Sequence, residues 1–193
     1  SVVVNDDIYI IGGRVEGEAT TEEGFEKGRT IERYKSSCAG GQCWESLDQE
    51  SLRLPAGRKY HACEVYNNEV YVLGGYDEQD WKEDIDIFNP QTGEWRKAPV
   101  VLPPELDMSS MLIGQQSSLV NDMIVLGTNG DGSTLSVMVG LHVPTMTFVD
   151  FPELPETGHG LRFGYTMASH NGSVYLVGGV LGFTSTNLVS VVY

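Results

Sequence analysis

One arrangement of polar and apolar positions recurs four times along the chain: an Asn-led polar turn, four or five apolar or aromatic residues, then glycine. The copies open at Asn5, Asn67, Asn121 and Asn171, and they end on Gly12-Gly13, Gly74-Gly75, Gly127 and Gly178-Gly179. Asn tolerates positive φ, so Asn-Asn and Asn-Gly suit the short hairpin turns that match strand twist. The runs before the glycines are apolar at successive positions, which predicts inner strands buried on both faces. A glycine pair after such a strand permits backbone conformations that a Cβ forbids, and a close pass by a neighbour. No segment carries a sustained helical period.

The first glycines recur at steps of roughly 50 to 60 residues, and self-similarity near this length marks propeller blades. A large aromatic recurs as well, since Trp95 follows Gly74, and Phe148 follows Gly127, by the same interval. Trp44 holds that place in the first unit, behind a hydrophilic insertion over 13–29 that reads as a lengthened loop. Each unit therefore reads as strand, tight turn, strand, variable loop, strand, Gly- or Pro-containing turn, strand. In the second unit the strands are expected at 60–66, 69–73, 84–88 and 94–98, with the variable loop over 76–83.

These residues resemble the kelch repeat, in which a glycine pair ends the second strand, a Tyr precedes it and a Trp packs from the fourth strand. The second unit matches best: Arg58-Lys59-Tyr60-His61, Tyr71-Val72-Leu73-Gly74-Gly75, Phe88-Asn89-Pro90 and Thr92-Gly93-Glu94-Trp95. Tyr9 and Tyr175 repeat the Tyr position, and Arg162-Phe163-Gly164-Tyr165 echoes the Arg58 segment. The third unit departs most, with Thr128 for the second Gly, Ile124 for Tyr, Phe148 for Trp and an Asn turn shorter by one residue. The resemblance implies an all-β fold of kelch-type β-propeller blades, each of four antiparallel strands. Blades are expected at about 1–47, 58–98, 112–151 and 165–193, in one domain over 1–193.

Closed propellers hold roughly four to eight blades, so about three and a half blades read as an incomplete ring. The chain is then part of a longer propeller, or a second copy completes the ring by self-association through open blade edges.

A formal net charge of −15 disfavours polyanionic partners, both nucleic acid and anionic membrane, and permits a basic protein. The loops between second and third strands, and those leading to the next blade, emerge on one face, which in kelch-like proteins commonly binds partners. More than half of the 27 acidic residues fall in those loops. Either these are merely solvated loops, or they form an acidic recognition face with Phe25, Trp81 and Phe183 as anchors. The partner-binding candidates are Trp81, Asp77, Glu78, Asp80, Arg58, Arg162 and Phe25. Trp81 either contacts a partner or tucks back onto its blade. Arg58 and Arg162 either point into the central channel or bond a neighbouring blade's carbonyls and carboxylates.

Cys38 and Cys43 flank Ala39-Gly40-Gly41-Gln42 at a hairpin and could approach within disulfide reach. Pairing implies an oxidising compartment and leaves Cys63 as a buried odd thiol, whereas free thiols fit a cytosolic protein. The four histidines, His61, His142, His159 and His170, form no metal-binding spacing, and neither a nucleophile elbow nor a phosphate-cradling loop is present. The expected function is accordingly a non-enzymatic protein-protein interaction module without a cofactor. The alternative is a fragment of a propeller enzyme, galactose-oxidase-like or sialic-acid-epimerase-like, with its active site in other blades.

Overall fold

In a computed structural model of the protein, residues 1–13, 26, 28–77, 79–102, 116–127, 138–150, 162–181 and 189–192 are described. They divide into two compact units, Ser1–Ala98 and Pro99–Tyr193. Among the described residues no helix is long and apolar enough to cross a membrane.

The first unit holds two four-stranded antiparallel sheets whose strands follow one another in chain order, the last strand running on past Ala98. One comprises β1 (Val2–Val4), β2 (Asp7–Ile11), β3 (Ile31–Tyr34) and β4 (Trp44–Ser46), and the other β5 (Ala62–Tyr66), β6 (Glu69–Leu73), β7 (Asp84–Asn89) and β8 (Glu94–Val101). Two-residue turns set the register. Val4 pairs with Asp7 around Asn5-Asp6, and Tyr66 with Glu69 around Asn67-Asn68. All four turn residues have positive φ, between 49° and 69°, as the primed hairpin turns require.

The core between these sheets joins Val2, Val4, Tyr9, Ile11 and Ile31 to Val70, Val72 and Phe88, with Leu54 from the connecting segment. Trp95 closes its edge, stacking on Phe88 at 4.8 Å between centroids and donating its indole N–H to the Leu52 carbonyl at 3.2 Å. Trp44 takes the corresponding place on an outermost strand but is 51% exposed, leaning on Tyr34 at 5.3 Å. Burial on both faces holds along most of β6 and fails in β2, where Ile8 and Ile10 are exposed. The reason is one-sided packing: Tyr9 and Ile11 face the shared core, whereas Val3, Ile8 and Ile10 on the other face stand partly in solvent.

The second unit contains a four-stranded sheet of β9 (Gln116–Val120), β10 (Met123–Gly127), β11 (Met138–His142) and β12 (Thr147–Asp150), with Phe148 on its outermost strand. A further sheet orders β13 (Arg162–His170), β14 (Ser173–Leu181) and β15 (Val189–Val192). Val125, Met138, Tyr165, Met167, Val174 and Leu176 form the core between them. Asn171-Gly172 turns β13 into β14 with positive φ at both residues.

The third repeat corrects the sequence reading. Its Asn turn is not shorter: Val120 pairs with Met123 around Asn121-Asp122, as in the other three. The missing residue comes from the strand, so Gly127 is the last residue of β10, paired with Gln116 and Met138. Gly127 is there for space, since a Cβ on it would overlap the Tyr165 hydroxyl. Strand limits also shift. β5 begins at Ala62 because Tyr60 has a left-handed φ of 62°, and β8 continues past residue 98 to Val101.

Candidate functional site

The loop end of the second blade, where β5 begins, β6 ends and β7 begins, brings three aromatic side chains together with several paired charges. Here the backbone prolongs the β5–β6 ladder beyond the glycines. Lys59 N–H donates to the Tyr76 carbonyl at 3.0 Å, and Tyr76 N–H donates to Lys59 O at 2.9 Å. Tyr76 in turn bridges to Trp81. Gly75 permits this pairing, since at its φ of 100° a Cβ would stand 2.8 Å from both Lys59 O and the His61 Cβ.

Residues paired directly across antiparallel strands project to the same face, so Lys59, Tyr76 and Trp81 line up side by side. Tyr60 would point to the opposite face in a regular strand. Its left-handed backbone breaks the alternation, and its ring joins the cluster 6.4 Å from Trp81. Tyr76 lies 5.1 Å from Trp81, and the Lys59 ammonium sits 5.6 Å from the Tyr60 ring and 5.2 Å from the Tyr76 ring. Tyr60 is 42% exposed while Trp81 is half-buried.

Asp77 shapes the loop. Its carboxylate accepts from the amides of Gln79 and Asp80, at 3.1 and 2.9 Å, and pairs with the Lys82 ammonium. Burial alone would push its carboxyl up, but these partners outweigh burial and hold it below the usual range. Asp77 is therefore buried inside the loop as an organiser, while Asp80 and Glu83 stand exposed beside it.

Beneath the cluster lies an ionic network. The Arg58 guanidinium, 2% exposed, donates to the Gly74 carbonyl at 3.1 Å and to Asp84 at 3.2 Å, and pairs with the buried Asp86 carboxylate. Lys97 pairs with Asp84 from the solvent side. Burial raises the Asp86 carboxyl despite Arg58 beside it; for Asp84 burial is outweighed by Lys97 and Arg58, which lower it. Of the two roles weighed for Arg58, the observed contacts are hydrogen bonds to a carbonyl and carboxylates, made within its own blade rather than to a neighbour.

The predicted residues thus separate. Trp81 packs back onto Tyr76 and Tyr60, Asp80 is exposed, and Asp77 and Arg58 are internal. Glu78, Phe25 and Phe183 lie outside the described residues; Arg162 opens β13 paired with Leu181, and its side chain also lies outside them. Lys59, Tyr60 and Tyr76 were missed as site residues, because a motif read as strand conceals the reversal at Tyr60. The signal available was aromatic residues on both flanks of the glycine-ended strand pair.

Elsewhere, Cys38 and Cys43 form a disulfide across the β3–β4 hairpin with Cα atoms 5.4 Å apart. Cys63 is a free, half-buried thiol that desolvation pushes up to about 12. Among the described residues no three His, Cys, Asp or Glu side chains gather as a metal ion would need.

Comparison with known proteins agrees with this architecture. The chain is 27% identical to the Kelch-like protein terF of Aspergillus terreus over 98% of its own length and 39% of that protein. It is 32% identical to Kelch domain-containing protein 10 of Xenopus laevis over 99 residues, which are 50% of this chain and 22% of that one. The chain thus spans well under half the length of these curated relatives. Among solved structures, that of YjhT superposes with a TM-score of 0.65 over 95% of this chain and 59% of that one, at 17% identity, a likeness of fold alone. The KLHDC2/KLHL20/DRC7 Kelch-repeats domain matches residues 1–179, and with its four Asn-turned hairpins the chain belongs to the kelch-repeat family of β-propellers.

Proposed function

We propose that this chain is a non-enzymatic protein-interaction module that engages its partner at the loop end of the second blade, through Tyr60, Tyr76 and Trp81. The kelch-repeat relatives support an interaction module in general. The observation that carries the particular site is an aromatic cluster held outward by backbone pairing, with a ring 42% exposed at Tyr60 on a left-handed backbone. Such a conformation costs a bulky residue on the order of 1 kcal/mol or more and clusters at functional sites. Aromatic side chains are also the commonest anchors of protein interfaces. A basic partner suits the net charge of −15.

The test is affinity capture with the chain and with Trp81→Ala and Tyr60→Ser, each shown to be folded by its melting curve. Tyr34→Ser, remote from the loop end, serves as control. A partner retained by the chain and the control, and lost by both cluster variants, supports the site. Capture that is indifferent to both cluster variants overturns it.

A further inference from the structure

We infer that Asn171 is an N-glycosylation site, whose carboxamide nitrogen receives an oligosaccharide from a polyprenyl-diphosphate donor in the secretory pathway. The inference is independent of the loop-end reading above.

Two separate observations carry it. The first is local: Asn171-Gly172-Ser173 sets a hydroxyl residue two positions after an asparagine with no proline between, the acceptor pattern for this transfer. A two-residue hairpin turn asks for Asn and Gly because both take positive φ, but it leaves the residue after the turn open. The turns at Asn5, Asn67 and Asn121 carry Asp7, Glu69 and Met123 at that place, so of the four hairpins the last alone has the hydroxyl. Turn chemistry therefore accounts for Asn171 and Gly172 and does not account for Ser173.

The second observation lies in the other unit. Cys38 and Cys43 are joined across an exposed hairpin, and such bonds persist in oxidising surroundings and are rare in the cytosol. The compartment that forms this bond is also the one in which the oligosaccharide is transferred.

The fold accepts the product. Asn171 and Gly172 are exposed, as are Ser169 and His170 before them, and a Cβ on Gly172 would meet nothing within 4 Å. A large hydrated substituent on this turn displaces no packed side chain. The turn sits where His170 pairs with Ser173, at the opposite end of the β13–β14 ladder from Arg162 and Leu181, so the sugar leaves that far end of the blade open. In the transfer, Asn171 Nδ2 attacks C1 of the donor's first sugar. A C1–N bond forms, the C1–O bond breaks, the lipid diphosphate leaves with the electron pair, and the amide proton passes to a base of the transferase. Nothing is oxidised or reduced.

The experiment is mass spectrometry of the protein purified from its own cells, digested without reduction and treated with peptide N-glycosidase in heavy-oxygen water. The unmodified mass of the Asn171 peptide should be missing before treatment, and the heavy label should appear at residue 171 afterwards. In parallel, the full chain is translated behind an added leader into microsomes, where it should migrate more slowly than untreated chain. That shift should be lost in Asn171→Gln and Ser173→Ala and kept in Ser173→Thr. Transfer precedes folding, so a variant that fails to fold still reports. An unmodified Asn171 in the native protein overturns the inference, as does a shift that survives Ser173→Ala. An unmodified Asn171 beside an intact Cys38–Cys43 bond refutes the modification alone, whereas free thiols there refute the compartment as well.

Discussion

His61 Nε2 lies 3.0 Å from the carbonyl oxygen of Ile11, so a side chain at the start of the second blade is bonded to the end of the first blade's second strand. Beside it, Gly13 N–H donates to Arg58 O at 3.0 Å. The two blades are therefore joined by polar contacts at their loop ends as well as by the apolar core below.

The burial of this ring, against which the Ile11 bond works, makes stability depend on pH. Burial first, and then the Arg58 charge, depress the His61 pKa to about 4 from an ordinary 6.5. Because the unfolded chain takes up the proton near 6.5 and the folded chain resists it, stability from this group is complete above 6.5. It is lost as pH falls toward 4, and then levels off. The loss amounts to at most about 1.4 kcal/mol per pH unit. Denaturant titrations of the chain and of His61→Gln across pH 4 to 7 should differ in slope, with the variant flatter; parallel curves would refute the assignment.

Gly12 should be far less replaceable than Gly172, although both have positive φ, of 60° and 77°. A Cβ at Gly12 would stand 2.8 Å from Arg58 O and 3.0 Å from the His61 ring, whereas at Gly172 it would meet nothing within 4 Å. Gly172→Ala should cost about 1 kcal/mol, from backbone conformation alone, and Gly12→Ala at least about 2 kcal/mol. Equilibrium unfolding in urea measures both. Equal costs would show that the blade junction yields freely.

Removing Arg58 should be costlier than removing either of its carboxylates' other contacts. Arg58→Met leaves Asp86, 1% exposed, without its buried partner and with only the solvent-side Lys97 at 3.9 Å, a change expected to cost about 3 kcal/mol. Asp84→Asn should cost about 1 kcal/mol, because Asp84 is partly exposed and its partner Lys97 is mostly in solvent. Combining Arg58→Met with Asp86→Leu should recover most of the loss, and chemical denaturation of the three variants tests the order.

The Cys38–Cys43 disulfide closes a loop of sequence separation 5 at an exposed hairpin. So short a loop removes little unfolded-state entropy, and its reduction should lower stability by about 2 kcal/mol. The Cys38→Ser, Cys43→Ser double variant should melt with the reduced chain and be insensitive to reductant. A larger effect would mean that the hairpin supports more than itself.

Alternation, turn chemistry and glycine placement by themselves determined the blades. Asn-led pairs can take positive φ, so every second strand begins where its turn requires. Gly12 and Gly75 mark where backbone must pass Arg58 O, Lys59 O and His61 without a Cβ between. Tertiary structure decided what a linear pattern cannot carry. Tyr60 lies in a segment that reads as strand, yet its backbone reverses there and brings its ring to the face shared by Lys59, Tyr76 and Trp81. Asp77 reads as one of several loop acids, but three hydrogen-bonding partners draw it inside, while the adjacent Asp80 stays in water. The side chain types at these positions were legible. Their roles depended on which backbone segments pair and which charges find partners, and those are properties of the packed blade.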